Sequence, residues 1–333
     1  MRTNYAVSVI GLTDERLEAF VADWLLFRTR DYVQSERWNG SGDMGRDVVG
    51  YATSARHEGD WDNFQCKQLS TRLSESSAIL ELGKIFMHAA AGEFRLPRAY
   101  TFVAPRGVVR NVQTYIAHPE RFRAACKSRW AEVCEPHLVQ NKSVPFTDDI
   151  EAMVDAFDFK NVFALDAVKL TQDPYIKPAL VKWFGEDPGE APRGVAPDGI
   201  VLEEATYLTE LVQAYGARRG VAFADATDVI ADPDWGDDLR DQRTRFFEAA
   251  AFKRYYRDST FPEMLDTFND DIYHGVVDAY REVHPDALAR MVAVMKEAKS
   301  VVPSGVMRRY GRVPVKQGLC HHFVNEGRLK WTR

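Results

Sequence analysis

Apolar residues between positions 12 and 27 recur at helical spacing. Leu17, Phe20, Val21, Trp24 and Leu25 fall on one side of a 3.6-residue repeat, and Thr13 stands where an N-cap belongs. The spacing predicts a helix over 12–27. The period then shortens. Residues 47–51 and 63–69 read as strands around a polar loop at 53–60, residues 76–91 as a helix, and residues 99–103 as a strand. Beyond residue 200 the pattern is almost wholly helical, with candidate helices at 202–218, 239–256, 262–283 and 285–301. Phe246, Phe247, Ala250 and Ala251 mark a buried stripe on the second of these. A Gly- and Pro-rich stretch at 185–199 separates the two patterns. The expected organisation is an α/β domain over 1–183, a linker over 184–200 and an all-α domain over 201–333.

A chain of 333 residues suits about two domains at ~100–200 residues each. Its 45% hydrophobic and 28% charged residues are ordinary for a globular protein. No run approaches the ~20 apolar residues of a membrane span, and the N-terminus is a poor signal peptide. No membrane is expected, and the location expected is cytoplasmic. The four cysteines, Cys66, Cys126, Cys134 and Cys320, are irregularly spaced, which fits a reducing compartment. The net charge of −6 argues against a surface that binds nucleic acid throughout. Residues 106–129 depart from that balance, with six cations (Arg106, Arg110, Arg121, Arg123, Lys127, Arg129) and one acid, Glu120. Such a stripe could face DNA phosphates, and a solvated helix face explains it equally well.

The stretch that carries chemistry is Gly42-Asp43-Met44-Gly45-Arg46-Asp47, followed by Phe64-Gln65-Cys66-Lys67. On a strand, alternation puts Gln65 and Lys67 on one face and Phe64 and Cys66 on the other. The apolar pair would face the core. If Asp47 lies on the neighbouring strand, the hairpin could bring its carboxylate beside the polar pair. A carboxylate and an amide oxygen are hard ligands suited to Mg²⁺, which keeps several waters and binds phosphate. Lys67 is a compact charge that can orient an attacking water or stabilise negative charge on phosphorus.

This arrangement resembles the PD-(D/E)XK restriction-endonuclease-like superfamily, in the Mrr-like branch with glutamine in the middle position. Asp47 matches the first metal ligand, Gln65 the second position and Lys67 the catalytic lysine. Glu18 matches the acid that this fold often carries in its first helix. The order helix, Asp strand, Q-x-K strand, helix, strand agrees as well. The resemblance covers roughly residues 12–105 and implies a mixed sheet flanked by helices and a Mg²⁺ cofactor, with Mn²⁺ able to substitute. Gln65 departs from the commoner glutamate and brings no charge, so the backbone carbonyl of Cys66 would be needed as a further ligand.

The second half carries another resemblance. Residues 203–215, 246–258 and 318–333 are similar to the ABC-three component defence proteins, which partner SMC-like ATPases in bacterial anti-phage systems of the Lamassu type. That similarity implies a double-stranded DNA endonuclease effector, held inactive until phage DNA is sensed. It also implies a helical domain docking an SMC-like ATPase subunit and a small accessory subunit, and a homo-oligomer on activation. A same-fold nuclease under another signal, such as a cyclic nucleotide, is one alternative. A non-catalytic adaptor bridging an ATPase to DNA through the basic stripe is another.

Other constellations are weaker. Cys320-His321-His322 with Cys134 and His137 lacks zinc-finger spacing, and adjacent histidines on an extended tail point to opposite faces. Cys66 sits beside Lys67, but its side chain should face the core. No G-x-x-x-x-G-K-[ST] motif is present, so any ATP dependence belongs to a partner. Trp331 reads equally as a docking anchor or a packing residue.

Overall fold

The computed structural model describes residues 4–38, 40 and 42–332. The chain divides into two compact units, Met1–Phe184 and Gly185–Arg333.

The first unit opens with helices α1 (Tyr5–Ile10) and α2 (Asp14–Leu25). The Thr13 side chain accepts the Arg16 N–H, Asp14 and Glu15 occupy the first turn, and Leu17, Phe20, Val21, Trp24 and Leu25 are buried. Strands β1 (Gln34–Arg37), β2 (Val48–Tyr51) and β3 (Trp61–Cys66) follow. Helix α3 (Glu75–Ala90), capped by Ser74, then leads to β4 (Ala99–Val103). Helices α4 (Arg110–Ala117), α5 (Pro119–Ser128) and α6 (Asp148–Ala156) precede β5 (Val162–Leu165). Helices α7 (Ala167–Thr171) and α8 (Lys177–Phe184) close the unit.

The five strands form one mixed sheet in sequential order. β1, β2 and β3 pair antiparallel, whereas β3, β4 and β5 pair parallel. Parallel neighbours require a crossover, and α3 supplies the one between β3 and β4. The side-chain alternation splits the apolar residues into two cores. Val49, Tyr51, Trp61, Tyr100 and Phe102 pack against α3 residues such as Leu82, Ile85 and Phe86. Val48, Phe64, Cys66 and Val103 pack against Leu17, Phe20, Val21 and Trp24 of α2. Helices therefore cover both faces of the sheet. The polar face expected opposite Phe64 and Cys66 is itself roofed by α3, and Gln65 is only 2% exposed.

Among the described residues the regular elements of the second unit are helices: α9 (Ala205–Arg219), α10 (Ala226–Ala231), α11 (Gly236–Ser259), α12 (Pro262–Arg281), α13 (Ala287–Ser300) and α14 (Val313–Asn325). The buried line on α11 runs through Phe246, Ala249, Phe252 and Tyr256. It is out of phase with the stripe read from the sequence, since Phe247, Ala250 and Ala251 are only partly buried. Residues 318–325 belong to helix α14 and are not extended as expected. His321 meets the Gln242 side-chain oxygen at 3.0 Å, and His322 meets the Phe246 carbonyl at 3.1 Å. Both are packing residues. Trp331 is fully buried and its indole N–H donates to His321 Nδ1 at 3.3 Å, so it anchors the end of the chain in the core. Among the described residues no helix is long and apolar enough to cross a membrane.

Residues 185–199 have no regular structure, yet they are tied to the helical unit. The hydroxyls of Tyr255 and Tyr256 donate to the carbonyls of Pro188 and Gly189. Arg243 donates to the carbonyls of Pro197 and Gly199 and pairs with Glu204, itself fully buried. Gly194 lies where an added Cβ would come within 2.0 Å of the Phe247 carbonyl oxygen, so only glycine fits that approach.

Candidate functional site

The site begins with the register of one strand pair. Val48 lies opposite Phe64 in the β2–β3 ladder. One residue further out, Asp47 therefore falls opposite Gln65, on the α3 side of the sheet. Two donors converge on its Oδ2: the Gln65 side-chain amide at 2.8 Å and the Cys66 backbone N–H at 2.7 Å. The other end of the Gln65 amide, Oε1, receives the Tyr100 hydroxyl at 3.4 Å. The loop that delivers Asp47 is tight. Met44 and Gly45 both adopt positive φ, 55° and 84°, and the Gly45 N–H donates to Asp43 Oδ1 at 2.9 Å.

Asp47 is 6% exposed. Burial pushes its carboxyl up to about 7, reinforced by the charges of Glu18 and Glu81 and opposed by Lys67 and the Cys66 N–H. For Lys67, burial alone would favour the neutral amine. The Glu81 carboxylate, 2.9 Å from its Nζ, more than offsets this, and Asp47 adds to the effect, so the ammonium is held above its ordinary range. The Cys66 thiol is buried, and burial raises it well above the ordinary thiol range, which removes it as a nucleophile. Its side chain faces the α2 core.

Glu18, on α2, pairs with Arg37 at 2.8 Å. Arg37 lies opposite Val48 in the β1–β2 ladder, so this pair sits at the same strand end as Asp47. Glu18 thus reaches the site from the other layer, with its carboxylate engaged by Arg37.

Glu81 and Lys84, both on α3, are residues that the strand motif does not include. Glu81 is 5% exposed and binds Lys67 and Lys84 together. The available signal was a Glu and a Lys three residues apart inside an otherwise apolar helix face, an expensive placement unless the charges are paired or used.

The basic stripe divides. Arg123 pairs with Glu120, Lys127 with Glu151 and Asp155, and Arg129 with Glu75 and Glu132. Arg106, Arg110 and Arg121 are exposed.

The residues present suit a hard divalent cation in part. Asp47 and Gln65 bring one carboxylate and one amide into direct contact, the kind of sparse oxygen set that Mg²⁺ accepts while keeping its waters. Gln65 now turns its nitrogen to Asp47, so acting as a ligand requires its amide to rotate. Among the described residues no group of three or more His, Cys, Asp or Glu is placed to hold a metal ion.

No curated protein and no solved structure matched the chain. Residues 204–331 match the family model of C-terminal domain 6 of the ABC-three component (ABC-3C) systems, and this match supports membership of the chain in such a system through its helical unit.

Proposed function

We propose that the chain is a Mg²⁺-dependent double-stranded DNA endonuclease and the effector of an ABC-three component anti-phage system. The observation that carries this reading is the meeting of Asp47 and Gln65 at one strand end, with Lys67 next on the same face and electrostatically coupled to Asp47. The order α2, β2, β3, α3, β4 follows the helix, Asp strand, Q-x-K strand, helix, strand order of the PD-(D/E)XK resemblance, with the edge strand β1 added between α2 and β2.

Asp47 and Gln65 would hold the ion, with Glu18 joining only by releasing Arg37. A bound Mg²⁺ supplies an acidic water and shields phosphate charge. Because the Asp47 carboxyl sits near 7, protons compete with the ion, and its affinity falls as pH drops below that value. Lys67 stays an ammonium at neutral pH. It therefore acts as a charge beside phosphorus and an orienter of the nucleophile, not as a proton acceptor.

The helical unit is read as the docking domain for an SMC-like ATPase and a small accessory subunit, keeping the nuclease silent until assembly of several copies. An adaptor that grips DNA through the basic stripe is less well supported, since Arg123, Lys127 and Arg129 are already spent on carboxylates. Lys67→Ala should abolish plasmid cleavage while leaving the melting curve in place. A Lys67→Ala chain that cuts normally removes the mechanism.

A further inference from the structure

The Q-x-K motif supplies one cation to the site, but α3 brings a second. Glu81 Oε1 accepts from Lys67 Nζ at 2.9 Å and from Lys84 Nζ at 3.0 Å, and Oε2 accepts from Lys84 at 2.9 Å. One buried carboxylate thus holds two ammonium groups. A single lysine would suffice to neutralise a buried glutamate, so around Glu81 itself two ammonium groups meet one carboxylate, with Asp47 a further acid coupled to Lys67. The placement is asymmetric. The Glu81 side chain is 7% exposed, whereas those of Lys67 and Lys84 are 23% and 31% exposed. The acid lies behind and the cations face out. The stem of Lys84 also lies against the loop that delivers Asp47: a Cβ on Gly45 would come 2.9 Å from the Lys84 Cβ.

We propose that Lys84 is a second phosphate-contacting cation of this site, and that Glu81 is a positioning residue that holds Lys84 and Lys67 together; the inference rests on the nuclease reading above. The chemistry asks for such a pair. A phosphodiester carries one negative charge in the ground state and gains a second as a nucleophile adds to phosphorus. Two pre-placed ammonium groups match the charge that develops, and Glu81 fixes both before substrate arrives.

The test uses the full chain in two formats. Duplex binding is followed by fluorescence anisotropy across a KCl series in the non-cleaving Asp47→Asn background. Cleavage kinetics are followed with Asp47 intact. Lys84→Met should reduce the salt slope by about one, the signature of one lost phosphate contact. It should also lower kcat/KM by about tenfold or more, the loss of a charge-assisted hydrogen bond. Lys84→Arg should restore most of both. Glu81→Gln should keep the slope, since both cations remain, and lower kcat with little change in KM. Lys84→Gln repeats the measurement should Lys84→Met fail to fold. If wild type cuts while Lys84→Met, or Lys84→Gln in its place, keeps the parent slope and kcat/KM, the inference is overturned and the nuclease reading stands. If an assembled wild type that binds Mg²⁺ neither binds nor cuts duplex DNA, the nuclease reading falls and takes this inference with it.

Discussion

Asp47→Asn should make the protein more stable at pH 8, and the gain should vanish in acid. The wild-type carboxyl is buried with an ordinary value of 3.8 raised to about 7. Below pH 3.8 it is protonated in both folded and unfolded states, and no difference arises. Between 3.8 and 7 the unfolded chain ionises while the folded one does not, so stability falls as pH rises. Above 7 the whole penalty is present, about 4 kcal/mol at ~1.4 kcal/mol per pH unit. Asparagine removes the charge and keeps an oxygen to accept the Gln65 and Cys66 donors. The assay is thermal unfolding of wild type and variant by tryptophan fluorescence from pH 8 down to pH 4. Taking the difference between the two curves cancels the titrating groups that Asp47 does not influence and leaves Asp47 with the groups coupled to it, Lys67, Glu18 and Glu81. At ~2–4 °C per kcal/mol for a unit of this size, the variant should melt about 10 °C higher at pH 8. The two should converge toward pH 4. Mg²⁺ should narrow the gap at pH 8 by raising the wild type alone. A pH-independent difference, or a variant less stable than wild type at pH 8, would refute the reasoning.

Two further outcomes test the architecture. Trp331→Ala should destabilise the helical unit by about 3–5 kcal/mol, because the indole is fully buried; a folded variant that only loses partner binding would contradict its packing role. Gly194→Ala should free residues 185–199 from α11, seen as faster proteolysis there, because its Cβ would meet the Phe247 carbonyl oxygen; unchanged digestion would contradict the tethering.

Much of the scaffold is legible because its elements keep a regular pattern: helix α2 has one covered face at helical spacing, and strands β2 to β4, covered on both faces, read as short runs bounded by polar loops. β1 is not legible in this way: Gln34-Ser35-Glu36-Arg37 has no apolar residue, and as an edge strand it is held by ladder pairing and by polar contacts such as Arg37 with Glu18. Helix α14 is hidden for the opposite reason. Lys316 and His321 are buried in it, so polarity no longer marks the outer face. The same applies on α11, where buried Gln242, Arg243 and Glu248 obscure the phase of the apolar stripe. In the site, Asp47, Gln65 and Lys67 are readable as a motif because strand alternation and hairpin register decide their meeting. Glu81 and Lys84 are not part of that motif, and an i, i+3 Glu–Lys pair by itself looks the same on a surface as beneath a sheet; only the apolar residues around it hint at burial.

The central claim is most directly tested by plasmid cleavage with Mg²⁺ by the purified full chain, beside Asp47→Ala and Lys67→Ala, each sized by light scattering in the same buffer. The account predicts that only wild type cuts and that the cutting species is an assembly of several chains. An assembled wild type that binds Mg²⁺ and leaves the plasmid intact, or variants that cut as fast as wild type, would contradict it.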